Sequence, residues 1–235
     1  MNRKSELYYE GIGANFNAWM SSYDVQQRIK LIKALMPEHA TQLSCLEIGC
    51  GTGMISGALA PIVGRLTVWD LSGKLASEVG ERLKTDWSRQ DACHLDISDN
   101  SFDLVVSSEC IEHTPDPRRA LAEMARVVKK RGVVIITSPN KFWLPVLWIS
   151  MALRIRKFSG NEIWLYPWEA AHVLEKNGLG EIQFRGCHLF PWQLPLAKRI
   201  LPIFDRLSNV LYPAMINYAL RATKLDVSAK RLGAW

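Results

Sequence analysis

Three glycines at every second position, Gly49, Gly51 and Gly53, separate the apolar residues Leu46 and Ile48 from the apolar run Met54 to Ile62. The stretch Ser-Cys-Leu-Glu-Ile-Gly-Cys-Gly-Thr-Gly, from Ser44 to Gly53, predicts a buried strand that ends in a tight loop and passes straight into a helix. Glycine has no Cβ, so such a loop can take positive φ and let a ligand touch backbone. The helix start adds unpaired N–H groups and a partial positive charge. The stretch reads as a seat for an anion or a nucleotide-like cofactor. A dinucleotide fingerprint would need glycine or alanine at position 54, where Met54 stands, and a phosphate loop would need a trailing Gly-Lys-Ser/Thr that is absent.

A chain of 235 residues is long enough for one α/β domain with a full core, so 1–235 is read as a single domain. Short β-prone runs are predicted at Arg65 to Trp69, Trp87 to Gln90, Phe102 to Ser107, Gly132 to Asn140, Glu181 to Cys187 and Ile216 to Ala222. Between them lie a helix capped by Ser72 and running through Leu83, one from Arg118 to Val128, and one from Pro167 to Asn177-Gly178. Apolar spacing from Asn15 to Met36, with Phe16, Trp19 and Tyr23, predicts one or two amphipathic helices that Pro37 ends. This alternation predicts an α/β fold with a doubly wound, mostly parallel sheet and helices on both faces. Asp70 falls at a strand's carboxyl end, 21 positions beyond Gly49, where an acid accepts hydrogen bonds from ribose hydroxyls.

Charge and cysteines bound the setting. The five cysteines form no Cys-x-x-Cys pair and read as reduced thiols without structural zinc, and Met-Asn-Arg-Lys-Ser-Glu-Leu at the start has no apolar h-region. A cytoplasmic protein is expected. From Arg185 to Trp235 there are eight basic residues against two acids, so the whole formal excess of +6 lies in the last fifth. Such an end suits an anionic membrane surface or nucleic acid, or is a solvated basic face.

Written as Glu-x-Gly-x-Gly-x-Gly, Glu47 to Gly53 resembles motif I of the class I S-adenosylmethionine-dependent methyltransferases. The block from Asp91 to Asn140, with Phe-Asp-Leu-Val-Val-Ser-Ser at 102–108, resembles the fourth-strand region of their small-molecule members, of the ubiquinone and menaquinone biosynthesis type. The resemblance implies a seven-stranded Rossmann-like sheet with an antiparallel last strand. It implies S-adenosylmethionine as cofactor, S-adenosylhomocysteine as product, lid helices over 1–37 and a cofactor-binding core over 43–140. Glu47, Gly49, Cys50, Gly51, Gly53, Asp70, Leu71, Asp91, Ala92 and Ser108 would then hold the cofactor, with Asp70 on the ribose and Asp91 on the adenine amino group. Backbone amides can meet the cofactor's carboxylate, and Glu47 supplies negative charge near its ammonium and sulfonium.

Ligands of open α/β sheets bind beyond the carboxyl ends of the strands, which points to Ser108 through Asp116 for the acceptor. Glu109, Glu112 and His113 stand at i, i+3 and i+4, and a helical turn would bring them onto one face. They could hold a divalent cation such as Mg²⁺, or leave His113, with Glu109, for proton transfer. The resemblance implies a metal site here for a catechol-type acceptor, and transfer of the sulfonium methyl to an oxygen of a small, lipophilic, phenolic or quinone-like molecule. A sugar or other polar acceptor, a non-catalytic cofactor-binding module, and an NAD-dependent oxidoreductase are the rival readings. Nucleic acid is not the expected partner, since Ser107-Ser108-Glu109-Cys110 replaces the Asn/Asp-Pro-Pro-Tyr/Phe tetrad of base-modifying enzymes and no Pro-Cys pair occurs. Apolar and basic insertions are expected at 141–166 and 188–214. Their segments 142–157 and 194–211 would meet a membrane surface, the acceptor or a second subunit in a homodimer. Twelve mostly apolar residues from Phe142 to Leu153 are too few to span a bilayer, and Leu225 to Trp235 reads as a loose tail.

Overall fold

Neighbouring residues of the inner strands feed two different apolar cores, one on each side of a single sheet. Cys45, Leu104, Val106, Val133 and Ile135 belong to one, and Leu46, Val105, Val134 and Ile136 to the other. A strand turns successive side chains to opposite faces, so this division requires cover on both. The computed structural model describes residues 22–152 and 162–226. In chain order it gives α1 (Ser22–Leu35), β1 (Ser44–Ile48), α2 (Met54–Leu59), β2 (Arg65–Asp70), α3 (Gly73–Leu83), β3 (Asp86–Arg89) and β4 (Phe102–Ser108). There follow α4 (Pro117–Val127), β5 (Val128–Pro139), α5 (Leu144–Ala152), α6 (Pro167–Lys176), β6 (Leu179–Cys187), α7 (Ala197–Asp205), α8 (Ser208–Leu211) and β7 (Asn217–Lys224).

The strand order is β3-β2-β1-β4-β5-β7-β6. All neighbours from β3 to β5 pair in parallel, and β7 runs antiparallel to both β5 and β6. The expected seven-stranded sheet with an antiparallel last strand is therefore present. Val25, Ile32 and Leu35 of α1 with Ile55 and Leu59 of α2 cover one face, and Leu121 and Met124 of α4 with Ala170 and Leu174 of α6 cover the other. Each fully buried aliphatic side chain of this kind contributes roughly 1.5–3 kcal/mol. The strand order reverses between β1 and β4, so the loops leaving these two strands face each other at the sheet's carboxyl edge, where open α/β folds bind ligands.

Local signals explain the boundaries. Ser72 caps α3 by accepting from the Leu75 amide at 3.3 Å, and Asp116 caps α4 by accepting from Arg118 and Arg119, with Pro117 in the first turn. The α2 helix ends at Leu59, three residues before the expected Ile62, and Pro61 has no amide with which to extend it. Strand β5 starts at Val128, four residues before Gly132, across an irregularity in its pairing with β4 and a left-handed Arg131. The alternation predicted for β7 gives way to near-complete burial, since Asn217 and Ala219 are enclosed as fully as Tyr218 and Leu220. The segment 194–211 forms two short helices, and Leu225 and Asp226 follow β7. Phe16 and Trp19, the basic residues Arg154, Arg156 and Lys157, and the tail beyond Asp226 lie outside the described residues. Among the described residues no helix is long and apolar enough to cross a membrane.

Candidate active site

The bend after β1 is held by its neighbours as well as by its glycines. The amides of Gly49 and Cys50 both donate to the Trp69 carbonyl of β2, at 2.8 and 3.2 Å, and the Gly53 amide closes the turn on the Cys50 carbonyl at 2.8 Å. Gly49 has φ +78° and a Cβ there would press into the Cys110 thiol, so the loops after β1 and β4 touch at this point. Gly51 differs. At φ +52° its missing Cβ would point into open space, and that space is the cavity. Gly49→Ala is therefore expected to destabilise the fold by more than about 2 kcal/mol, from overpacking plus left-handed strain, read as a lowered denaturant midpoint at unchanged slope.

The cavity, about 230 Å³, lies between these two loops and is lined by every cofactor-site residue expected from the sequence except Gly53. Gly53 instead begins α2, its missing Cβ leaving room for Arg82 and Val79. Asp70 is not a free acceptor waiting for a ligand. Its Oδ2 takes the Gly51 amide and its Oδ1 the Ser72 amide, each at 2.9 Å, so it ties the glycine loop to the end of β2 while lining the cavity. Burial pushes its carboxyl up, and the Gly51, Ser72 and Leu71 amides oppose that shift. Asp91 accepts from the Cys93 amide at 2.9 Å and lines the cavity with Leu71 and Ala92. Glu47 is 1 % exposed, and its Oε2 has no hydrogen-bond partner among the described residues. Burial pushes its carboxyl up to about 8, with the Ser56 hydroxyl pulling the other way. A buried carboxyl that faces a cavity with one oxygen unsatisfied suits a cationic ligand group.

The opposite wall comes from the loop after β4, and here the spacing misleads. Residues Ile111–His113 form a 3₁₀ turn, not an α-turn, and Glu109 precedes it in the left-handed region at φ +50°. Glu112 consequently parts from the other two, since Glu109 and His113 line the cavity and Glu112 does not. The Glu109 carboxylate accepts from Thr137 Oγ1 at 3.2 Å and from Asn217 Nδ2 at 3.0 Å, and burial pushes it up against the pull of the Arg28 guanidinium. Glu112 turns inward to the Ser138 hydroxyl at 3.4 Å, and burial, then the Glu109 charge, push its carboxyl well above the ordinary carboxylate range. His113 turns to the cavity, with Nε2 4.0 Å from Glu112 Oε1. Among the described residues no three His, Cys, Asp or Glu side chains are grouped so that they could hold a metal ion. This corrects the Mg²⁺ reading of Glu109, Glu112 and His113. Ser108 lines the cavity as expected, its hydroxyl 2.8 Å from that of Thr137.

Three participants were missed. Arg28 of α1 is 4 % exposed, lines the cavity, and pairs with Asp24 at 2.9 Å. Asp24 in turn meets His188 Nε2 at 3.0 Å, so the end of β6 anchors α1 beside the cavity. A basic residue within the apolar stripe Val25, Ile32, Leu35 was the available signal for Arg28. Thr137 and Asn217 carried none, because their roles depend on the pairing of β5 with β7.

A family model described as a methyltransferase domain matches residues 46–136. A ubiquinone biosynthesis O-methyltransferase from Aromatoleum aromaticum is 30% identical over 158 residues, covering 62% of this chain and 68% of that protein. A methyltransferase structure from Thermotoga maritima superposes with a TM-score of 0.70 at 20% identity, covering 92% of this chain and 98% of that one. The N-methyltransferase NodS from Bradyrhizobium japonicum, solved with S-adenosylhomocysteine, gives 0.65 at 18% identity, covering 94% and 99%.

Proposed function

Because the chain belongs to the class I S-adenosylmethionine-dependent methyltransferases, we propose that it transfers the methyl group to a phenolic or quinone-derived hydroxyl oxygen of a small lipophilic acceptor. The observation that carries this reading is the pairing of walls. A cofactor seat of Glu47, Gly51, Asp70 and Asp91 faces His113, a base that reaches the same cavity from the loop after β4. The relatives named for O-methylation in ubiquinone biosynthesis support oxygen as the atom methylated.

The residues present fit the cofactor. Gly51 leaves backbone open to it, Glu47 offers an unsatisfied carboxylate to its positive charge, and Asp70 and Asp91 bring acceptor oxygens to the rim for its sugar and base. The bound cofactor supplies an electrophilic methyl on a sulfonium. The protein's own contribution is to take the hydroxyl proton at His113 Nε2 as the oxygen gains its methyl, and to keep water away, since a charge-neutralising transfer runs faster in a dry site. The proposal is tested by offering the purified protein a panel of catechols, hydroquinones, sugars and amines with the cofactor, and identifying products by mass spectrometry. Methylated phenolic oxygen is expected, and turnover only of sugars or amines would refute it.

Glu47 makes cofactor binding depend on pH. With its carboxyl near 8 in the empty site, it is protonated at pH 7, and the cofactor's positive charge favours the ionised form. Affinity should rise as pH goes from 6 to 8, approaching tenfold per unit, with about one proton released per cofactor bound at pH 7. Calorimetry in two buffers of different ionisation enthalpy reads that proton, and Glu47→Gln should remove it.

A further inference from the structure

We infer that the connection between β6 and β7 is a docking face for an anionic phospholipid surface. From His188 to Ile216 the chain carries three exposed basic side chains, Lys198, Arg199 and Arg206, and one acid, Asp205. Asp205 is turned inward, where its Oδ1 accepts from the His188 amide at 3.2 Å, so the outer surface bears positive charge alone.

The apolar residues on this surface are ordered. At about 100° per residue, Leu196, Ile200, Ile203 and Leu207 fall within roughly 60° of one another along α7 and its continuation. They are 63, 41, 62 and 54% exposed, Val210, at 66%, continues the stripe, and Leu194, at 52%, is exposed just before it. Ala197, Leu201 and Ser208 fall about a third of a turn away and are the residues that bury against the protein. Arg199 and Arg206 lie along the other edge of the stripe, the one remote from the body. Leu196 also holds φ +62°, a conformation disfavoured for a branched side chain that gains nothing by standing in water.

A narrow aliphatic ridge with guanidinium groups along its outer edge matches acyl chains lying beneath phosphate headgroups, the arrangement of a helix resting in the bilayer interface. The α7 helix has nine residues, so it can lie in that interface but not cross it. A second copy is a poorer occupant, because a two-fold contact on this stripe would set Arg199 and Arg206 against their own kind.

The test uses the full chain with phosphatidylcholine vesicles, with and without about one third phosphatidylglycerol. Co-sedimentation with the anionic vesicles is expected, at least about tenfold stronger than with the neutral ones and weakening with salt. Ile203→Glu and Leu207→Glu should each reduce it by about tenfold or more, and Arg199→Glu with Arg206→Glu should remove the preference for anionic lipid. These side chains are exposed, so the melting temperature and cofactor affinity should stay unchanged and show that each variant is folded. Equal binding to both vesicles, binding insensitive to these substitutions, or a dimer that Ile203→Glu dissociates without any vesicle binding would each overturn the inference.

Discussion

Gly51→Val is expected to reduce S-adenosylmethionine affinity by at least about 100-fold while leaving the fold in place. The reasoning separates this glycine from its neighbour. A Cβ at Gly49 meets protein, whereas one at Gly51 meets no protein atom within 4 Å at the wall of the cavity proposed for the cofactor. The valine methyl groups would fill that approach, and every ångström of withdrawal forfeits contacts with backbone amides. The substitution also carries strain at φ +52°, of about 1 kcal/mol, shared by the free and bound protein and therefore visible in stability rather than in affinity. Calorimetry should show binding lost with a melting temperature lowered by only a few degrees. An affinity within a few-fold of the parent would remove the glycine loop from the site.

His113→Ala is expected to lower kcat for a phenolic acceptor by about 10²- to 10⁴-fold, with cofactor affinity unchanged, because a positioned base contributes on that scale. The pH profile distinguishes a base from a merely structural side chain. A phenol loses its own proton near pH 10, so the residual rate of the variant should climb tenfold per unit as pH approaches that value, recovering what the imidazole supplied. A variant rate that stays flat with pH would mean that His113 only shapes the wall.

The fold was legible because its signals are local. Strand-period runs at Arg65 to Trp69 and Phe102 to Ser107, the cap at Ser72, and the glycine spacing each act within a few residues and agree with one another. The place of Asp70 and Asp91 at the cavity was legible for the same reason, since both simply follow their strands. The opposite wall was legible only in part. Placing Glu109, Glu112 and His113 on one face assumed 3.6 residues per turn, while a left-handed Glu109 and a 3₁₀ turn leave Glu109, bound to Asn217, and His113 at the cavity and send Glu112 inward to Ser138. Glu109 and Asn217 lie 108 positions apart, and only the antiparallel register of β5 with β7 joins them.

That reversed direction of β7 has a consequence for how such a molecule diversifies. Since β6 ends and β7 begins at the same edge, the span between them hangs there from a narrow neck, closed by the Ile216 amide on the His188 carbonyl at 2.9 Å. A parallel strand in that place would begin at the far edge and drag the same residues round the body. Here the span can lengthen, shrink or be exchanged with only its neck conserved, so a change of clientele or of address leaves the methyl-donor machinery untouched.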